Sequence, residues 1–172
     1  SKLREFIEEL KKLNIEIIKP SINKCFSDFK AFNGKIFYGL GAIKNVGFEA
    51  ISNIVNEREN NGQFKSFLDF INRVNAKDVN KLQLEGLVKA GVFDEFDQDR
   101  HKILNSIPKI IQKIKNVNDD KENHQSNLFG EQEKNKEEFD FESSVPWSVK
   151  ELLSEEFKSI GFYLTNHPLN EF

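Results

Sequence analysis

Apolar residues recur every third or fourth position over most of the chain, and the breaks in that rhythm mark the ends of helices. Leu3, Phe6, Ile7, Leu10 and Leu13 share one face of a helix over residues 2–13, which ends near Asn14. Two short extended runs follow, 15–18 before Pro20 and 35–38 before Gly39, and they are expected to pair as a small ribbon around the loop between them. Beyond Gly39 helices dominate: a short one over 40–44, then one over 48–60 with Ala50, Ile51, Ile54 and Val55 inward, joined by the turn Asn45-Val46-Gly47. Gly62-Gln63-Phe64 breaks the chain. Helices over 67–74 and 79–89 come next, and Ala90-Gly91-Val92-Phe93 makes a second glycine-centred turn, so helix, hairpin, helix occurs twice.

From about Gln98 a stripe of Ile103, Leu104, Ile107, Ile110, Ile111 and Ile114 is interrupted by Pro108, which kinks that helix or starts a new one. Residues 116–144 are polar and charged, broken by Leu128-Phe129 and by Phe139 with Phe141, and cannot bury enough surface to fold alone. After Pro146-Trp147, Ser148 and Glu151 have capping-box spacing, and Val149, Leu152, Leu153, Phe157 and Ile160 outline a last amphipathic helix before Gly161. The pattern predicts a mainly α fold: a tandem helix-hairpin-helix module, a small β ribbon near the N-terminus and a flexible acidic linker.

Charge sharpens this picture. The 172 residues carry a net charge of −3, with 38% hydrophobic and 31% charged residues. Residues 1–34 hold 7 basic and 5 acidic groups, 35–115 hold 13 and 10, and 116–172 hold 5 and 13, giving +2, +3 and −8. A basic-leaning body before an acidic tail fits a DNA-contacting module with a solvated appendage, and equally an acidic tail kept for solubility. The 17 Phe against one Trp and two Tyr read as compositional bias as much as a functional choice, and the aromatic count carries no weight.

The single cysteine, Cys25, excludes an internal disulfide framework, and His101, His124 and His167 lack zinc-ligand spacing. A reducing, cytoplasmic compartment is expected. No run approaches 18 apolar residues and the N-terminus has no apolar signal core, so no membrane partner is expected. The chain starts without Met and stops at Asn170-Glu171-Phe172, which reads as a piece of a longer protein.

The stretch GLGAIKNVG, residues 39–47, is the first candidate for binding chemistry. A dinucleotide fingerprint needs glycine where Lys44 stands, and a nucleoside triphosphate loop needs Ser or Thr where Asn45 stands. What remains is a hairpin between helices whose amides grip a nucleic-acid phosphate at the positive end of the second helix. Gly41, Lys44, Asn45, Val46, Gly47 and Phe48 are the candidate DNA-binding residues, with Lys44 adding a point charge and Asn45 tolerating positive φ. A plain helical hairpin whose glycines allow close packing is the competing reading. The second turn is crowded by Asp94, Glu95 and Asp97, which favours packing over phosphate binding.

A second candidate is the peptide Gln125-Ser126-Asn127-Leu128-Phe129, an apolar pair in a solvated run that suits a partner's pocket. The alternative is a linker that folds back and buries Leu128 and Phe129 on its own domain. No catalytic set emerges, because the carboxylates lack a paired apolar setting and no histidine has a nearby nucleophile.

Five segments in order resemble the C-terminal half of the bacterial DNA polymerase III α subunits, the C-family replicative polymerases: Pro20-Ser21-Ile22-Asn23, IFYGLGAIKNVG, FKSFLDFINRV, VNKLQLEGLVKAGVFD and LLSEEFKSIGFYLTNHPL. The resemblance covers nearly the whole chain. It implies that 1–38 belong to the end of the fingers region, 39–115 to a tandem helix-hairpin-helix module on duplex DNA, 116–146 to a flexible linker, and 147–172 to a helix leading toward an OB-fold domain. It makes QSNLF a motif docking on the β sliding clamp through Gln125, Leu128 and Phe129, and implies other replicase subunits as partners. The family's hairpin has glycine where this chain has Asn45. Its catalytic aspartates would lie upstream of Ser1, so no cofactor is expected in this stretch and Mg2+ belongs to the whole polymerase. The rival readings are a helix-hairpin-helix protein of DNA repair and a helical scaffold that displays a peptide without binding DNA.

Overall fold

The computed structural model describes residues 2–123 and 138–161. Helix α1 (Lys2–Lys12) buries Ile7 and Leu10 but leaves Phe6 exposed, and it ends where Asn14 takes φ 59°. The expected ribbon forms, with one more strand than the hydrophobic pattern predicted. Strand β1 (Glu16–Ile18) pairs parallel with β3 (Lys35–Phe37), Ile17 opposite Ile36, and β2 (Lys30–Phe32) pairs antiparallel with β3, Ala31 opposite Ile36. Between β2 and β3, Asn33 and Gly34 take φ 52° and 73°, the geometry that lets a two-residue hairpin follow strand twist.

The chain then enters a 3-10 turn (Leu40–Ala42), shorter than the expected 40–44 helix, and α2 (Phe48–Asn61). Helices α3 (Phe67–Arg73) and α4 (Lys81–Lys89) start at N-caps Ser66 and Asn80, whose side chains accept from the amides of Asp69 and Gln83. Pro108 separates two helices: α5 (Arg100–Asn105) stops before Ser106, and α6 (Ile107–Asn123) begins with Pro108 in its first turn, where a missing N–H costs nothing. The predicted stripe then closes the core through Ile103, Ile107, Ile110 and Ile114.

Two expected boundaries shift. Residues 116–123 of the expected 116–146 linker are helical, held by Asn118, whose side chain accepts from the Ala76 amide at 3.0 Å and donates to the Val74 carbonyl at 3.3 Å. Farther along, Phe139 and Phe141 place their rings 6.3 and 5.4 Å from that of Phe67, joining a cluster with Phe64, Phe70, Phe93 and Phe96. The Glu142 amide donates to Ser106 Oγ at 2.8 Å, which ties this strap to the α5/α6 junction. Several phenylalanines therefore build core.

The expected division at 38/39 does not separate two cores. One apolar cluster runs from Ile7 through Tyr38, Phe70 and Leu87 to Ile160. Polar joints reinforce it: buried Arg58 of α2 donates to the carbonyls of Ile22 (2.8 Å) and Cys25 (2.5 Å), and Asn23 closes a two-way amide pair with the backbone of Phe64. The last helix, α7 (Val149–Ile160), has the predicted capping box at Ser148 and Glu151, ends at Gly161 with φ 89°, and packs along α4. No helix among the described residues is long and apolar enough to cross a membrane.

Candidate functional site

The three glycines of residues 39–47 do different things. A Cβ on Gly39 would sit 2.8 Å from the Phe29 amide nitrogen, and one on Gly41 would sit 2.9 Å from both the Ser27 carbonyl oxygen and the Phe48 ring. Those two glycines admit the loop at 26–29, and the amides of Leu40 and Gly41 donate to the carbonyls of Phe26 and Ser27. Gly47 faces more open space, with Gln83 Oε1 3.7 Å from a built Cβ. It is the N-cap of α2.

The six candidate residues occupy the two sides of this hairpin. Gly41 and Val46 point inward, Val46 buried and donating its amide to the Ile43 carbonyl. Asn45 takes φ 69°, the left-handed conformation that turns the chain, as its residue type allowed. Lys44, Asn45, Gly47 and Phe48 are exposed, Phe48 at 58%. The amide of Lys44 donates to the Ser159 carbonyl at 2.8 Å and that of Gly47 to Gln83 Oε1 at 3.1 Å.

The start of α2 differs. Gly47 brings no side-chain acceptor, so among the described residues the amides of Phe48, Glu49 and Ala50 have no cap from the N-cap side chain or from an earlier turn. These first-turn donors and the positive end of a 14-residue helix follow the exposed Lys44 by four residues of sequence, a setting for an anion. Glu49 is an opposing charge on the same turn.

The second hairpin is filled from within. Gly91 takes φ 82°, and a Cβ there would collide with the Arg100 guanidinium. Arg100, 5% exposed, pairs with Asp94 at 2.7 Å and with Glu156 of α7 at 3.2 Å, and donates to the Lys89 carbonyl at 3.1 Å. Burial works against its charge, but hydrogen bonds and the charges of Asp94 and Glu156 outweigh that and raise its pKa above the ordinary value. Glu95 accepts from Ser21 Oγ and Asn23 Nδ2, and Asp97 pairs with Lys102. The crowding carboxylates of this turn are thus packing elements, as their density suggested.

Three residues at the first hairpin escaped the sequence reading. Ser159 holds the Lys44 amide, and Gln83 holds the Gly47 amide. Gly86 of α4 lets the hairpin approach: a Cβ there would lie 2.5 Å from the Lys44 carbonyl oxygen. A glycine inside a predicted helix is a signal of close backbone approach, and Gly86 carried it. Nothing local marks Ser159 or Gln83. Gln125, Leu128 and Phe129 lie outside the described residues. Among the described residues no group of three or more His, Cys, Asp or Glu side chains is placed to hold a metal ion.

Residues 14–103 match the helix-hairpin-helix motif family, a span that includes both hairpins. The chain is also similar to DNA polymerase III subunit alpha of Borreliella burgdorferi, 37% identical over 99% of this chain, of Campylobacter jejuni, 36% over 99%, and of Caulobacter vibrioides, 34% over 99%. It spans 15% of the length of each of these curated relatives.

Proposed function

Because the chain belongs to the helix-hairpin-helix family, we propose that it is the duplex-holding part of a replicative DNA polymerase III α subunit. The observation that carries this reading is the uncapped start of α2 beside Lys44, which offers amides and a positive charge to one backbone phosphate. Such a contact reads no base, so binding is indifferent to sequence and held by electrostatics. Polymerisation itself, with its catalytic carboxylates and Mg2+, belongs in this reading to the longer protein; no step through a metal is assigned to these residues.

Docking on the β sliding clamp through Gln125, Leu128 and Phe129 is the second half of the proposal, supported by the QxxLF pattern and by the resemblance of the flanking segments to the polymerase family. A polymerase held by both duplex and clamp would stay on the template. Other replicase subunits and a cytoplasmic location follow from the same reading.

Fluorescence anisotropy with a labelled duplex tests the DNA contact. Affinity is expected in the micromolar range or weaker at physiological salt, on the order of non-specific binding, with the logarithm of the binding constant falling by about 0.9 per phosphate neutralised for each decade of salt. Lys44→Glu is expected to weaken binding further. Retention that ignored salt, or survived Lys44→Glu unchanged, would overturn the assignment.

A further inference from the structure

We infer that α7 is the positioning element of the first hairpin, so that seating of α7 and grip on DNA are coupled; this rests on the reading of that hairpin as the phosphate contact. The backbone of Lys44 is held on both sides. Its amide donates to the Ser159 carbonyl in the last turn of α7, and its carbonyl lies against the bare Cα of Gly86 in α4. Ser159 Oγ donates in turn to the Gly86 carbonyl at 3.3 Å, closing a three-way joint between hairpin, α4 and α7. The next residue, Asn45, is where the chain turns through the left-handed region, so a joint at Lys44 sets the direction in which Lys44 and the start of α2 face.

One turn earlier α7 is anchored at the other hairpin. Glu156, 1% exposed, holds Arg100, the guanidinium that fills the Gly91 turn, and Glu155 pairs with Lys89 at 3.5 Å. A single helix therefore joins both hairpins, contacting the first through Ser159 and the second through Glu156. When α7 leaves, the Lys44 amide loses its acceptor, and the hairpin is left with its contacts to α4 at Gln83 and Gly86. Only the seated fraction presents the amides of α2 and Lys44 together, and apparent DNA affinity falls with that fraction. Linkage is reciprocal: bound DNA stabilises the seated helix.

Amide hydrogen exchange on the unmodified 172-residue chain, with and without a random-sequence duplex, reads this coupling directly. DNA is expected to slow exchange at the first turn of α2, at Lys44, and also along α7. Slowing at α2 with α7 unchanged would overturn the coupling while leaving the DNA contact intact; no slowing at either would overturn both. Ile160→Ala, which loosens the end of α7, gives an independent reading, with retained near-ultraviolet circular dichroism as the check on folding. Its DNA affinity is expected to drop at least about fivefold, within the usual range of coupled sites. Adding Lys44→Glu to that background is expected to weaken binding by a similar further factor, because one change lowers the seated fraction and the other the affinity of the seated state. DNA affinity of Ile160→Ala equal to that of the unmodified chain would overturn the inference.

Discussion

Arg100 Nη1 and Glu156 Oε1 lie 3.2 Å apart in a site where the two side chains are 5% and 1% exposed, joining α5 to α7 across 56 residues of sequence. Asp94 completes the set from the second hairpin. Removing one partner of such a pair leaves a buried charge with too few neighbours, and the penalty comes from that orphan more than from the lost attraction.

Glu156→Ala is accordingly expected to destabilise the fold by about 3–5 kcal/mol, measured by urea denaturation. Replacing both partners by leucine should recover a large share of that loss, since no charge is then left buried. A double variant as unstable as Glu156→Ala alone would show that shape, not charge, governs the site.

Two glycines near the first hairpin should respond in opposite ways. Gly86→Ala forces a methyl group toward the Lys44 carbonyl, with 2.5 Å available, and is expected to cost about 1–3 kcal/mol and to weaken DNA binding. Gly47→Ser meets only Gln83 Oε1 at an ordinary contact distance of 3.7 Å, gives α2 the missing side-chain cap and should be neutral or stabilising by a few tenths of a kcal/mol, roughly the difference between these caps. Its hydroxyl then occupies the amides assigned to phosphate, so DNA affinity should fall although the fold is no weaker. Tighter DNA binding by Gly47→Ser would contradict the placement of the phosphate.

Burial raises the Cys25 thiol from an ordinary 9.0 to about 11. The folded state therefore keeps its proton over a range in which the unfolded chain has released it. Stability from this group is complete below pH 9, and falls as pH rises from about 9 to 11, by about 2–3 kcal/mol in all. The Tyr38 phenol is also raised by burial and adds a loss of the same sign above 10.0. Cys25→Ala, compared with the unmodified chain by urea denaturation between pH 8.5 and 10.5, should show a flatter decline. Parallel declines would mean that the thiol is not the titrating group.

Leu128→Ala with Phe129→Ala removes two apolar anchors, each worth roughly 1.5–3 kcal/mol when buried, so affinity for the cognate clamp should drop at least about a hundredfold. DNA binding by the hairpin should stay intact. Calorimetry with the clamp decides, and equal affinity of the double variant would mean that these side chains serve another partner or their own domain. If the chain is part of a polymerase III α subunit, as proposed, the same change in the whole protein is expected to abolish processive synthesis while single-nucleotide addition stays nearly normal.

Local rules made the helices readable. Spacing of Ile51, Ile54 and Val55, the Ser148/Glu151 box and the break at Pro108 depend on neighbours within a turn or two, and each reappears in α2, α7 and the α5/α6 junction. The same was true of Asn33-Gly34, a hairpin signal present in the text whose strand, β2, the hydrophobic pattern alone did not reveal. At the candidate site the left-handed turn at Asn45 was equally local. What needed the folded chain was the list of amides still free to bind. Ser27, Gln83 and Ser159 take up those of Gly41, Gly47 and Lys44 from 14, 36 and 115 residues away, and so move the open donors to the first turn of α2. The buried charges of Arg58, Arg100 and Glu156 belong to the same class, because a charged residue reads as surface until the partner that neutralises or hydrogen-bonds it is brought alongside. Phe139 and Phe141 likewise look like residues of a solvated linker until Phe67 is placed beneath them; burial is a property of the pair, and only the tertiary fold forms the pair.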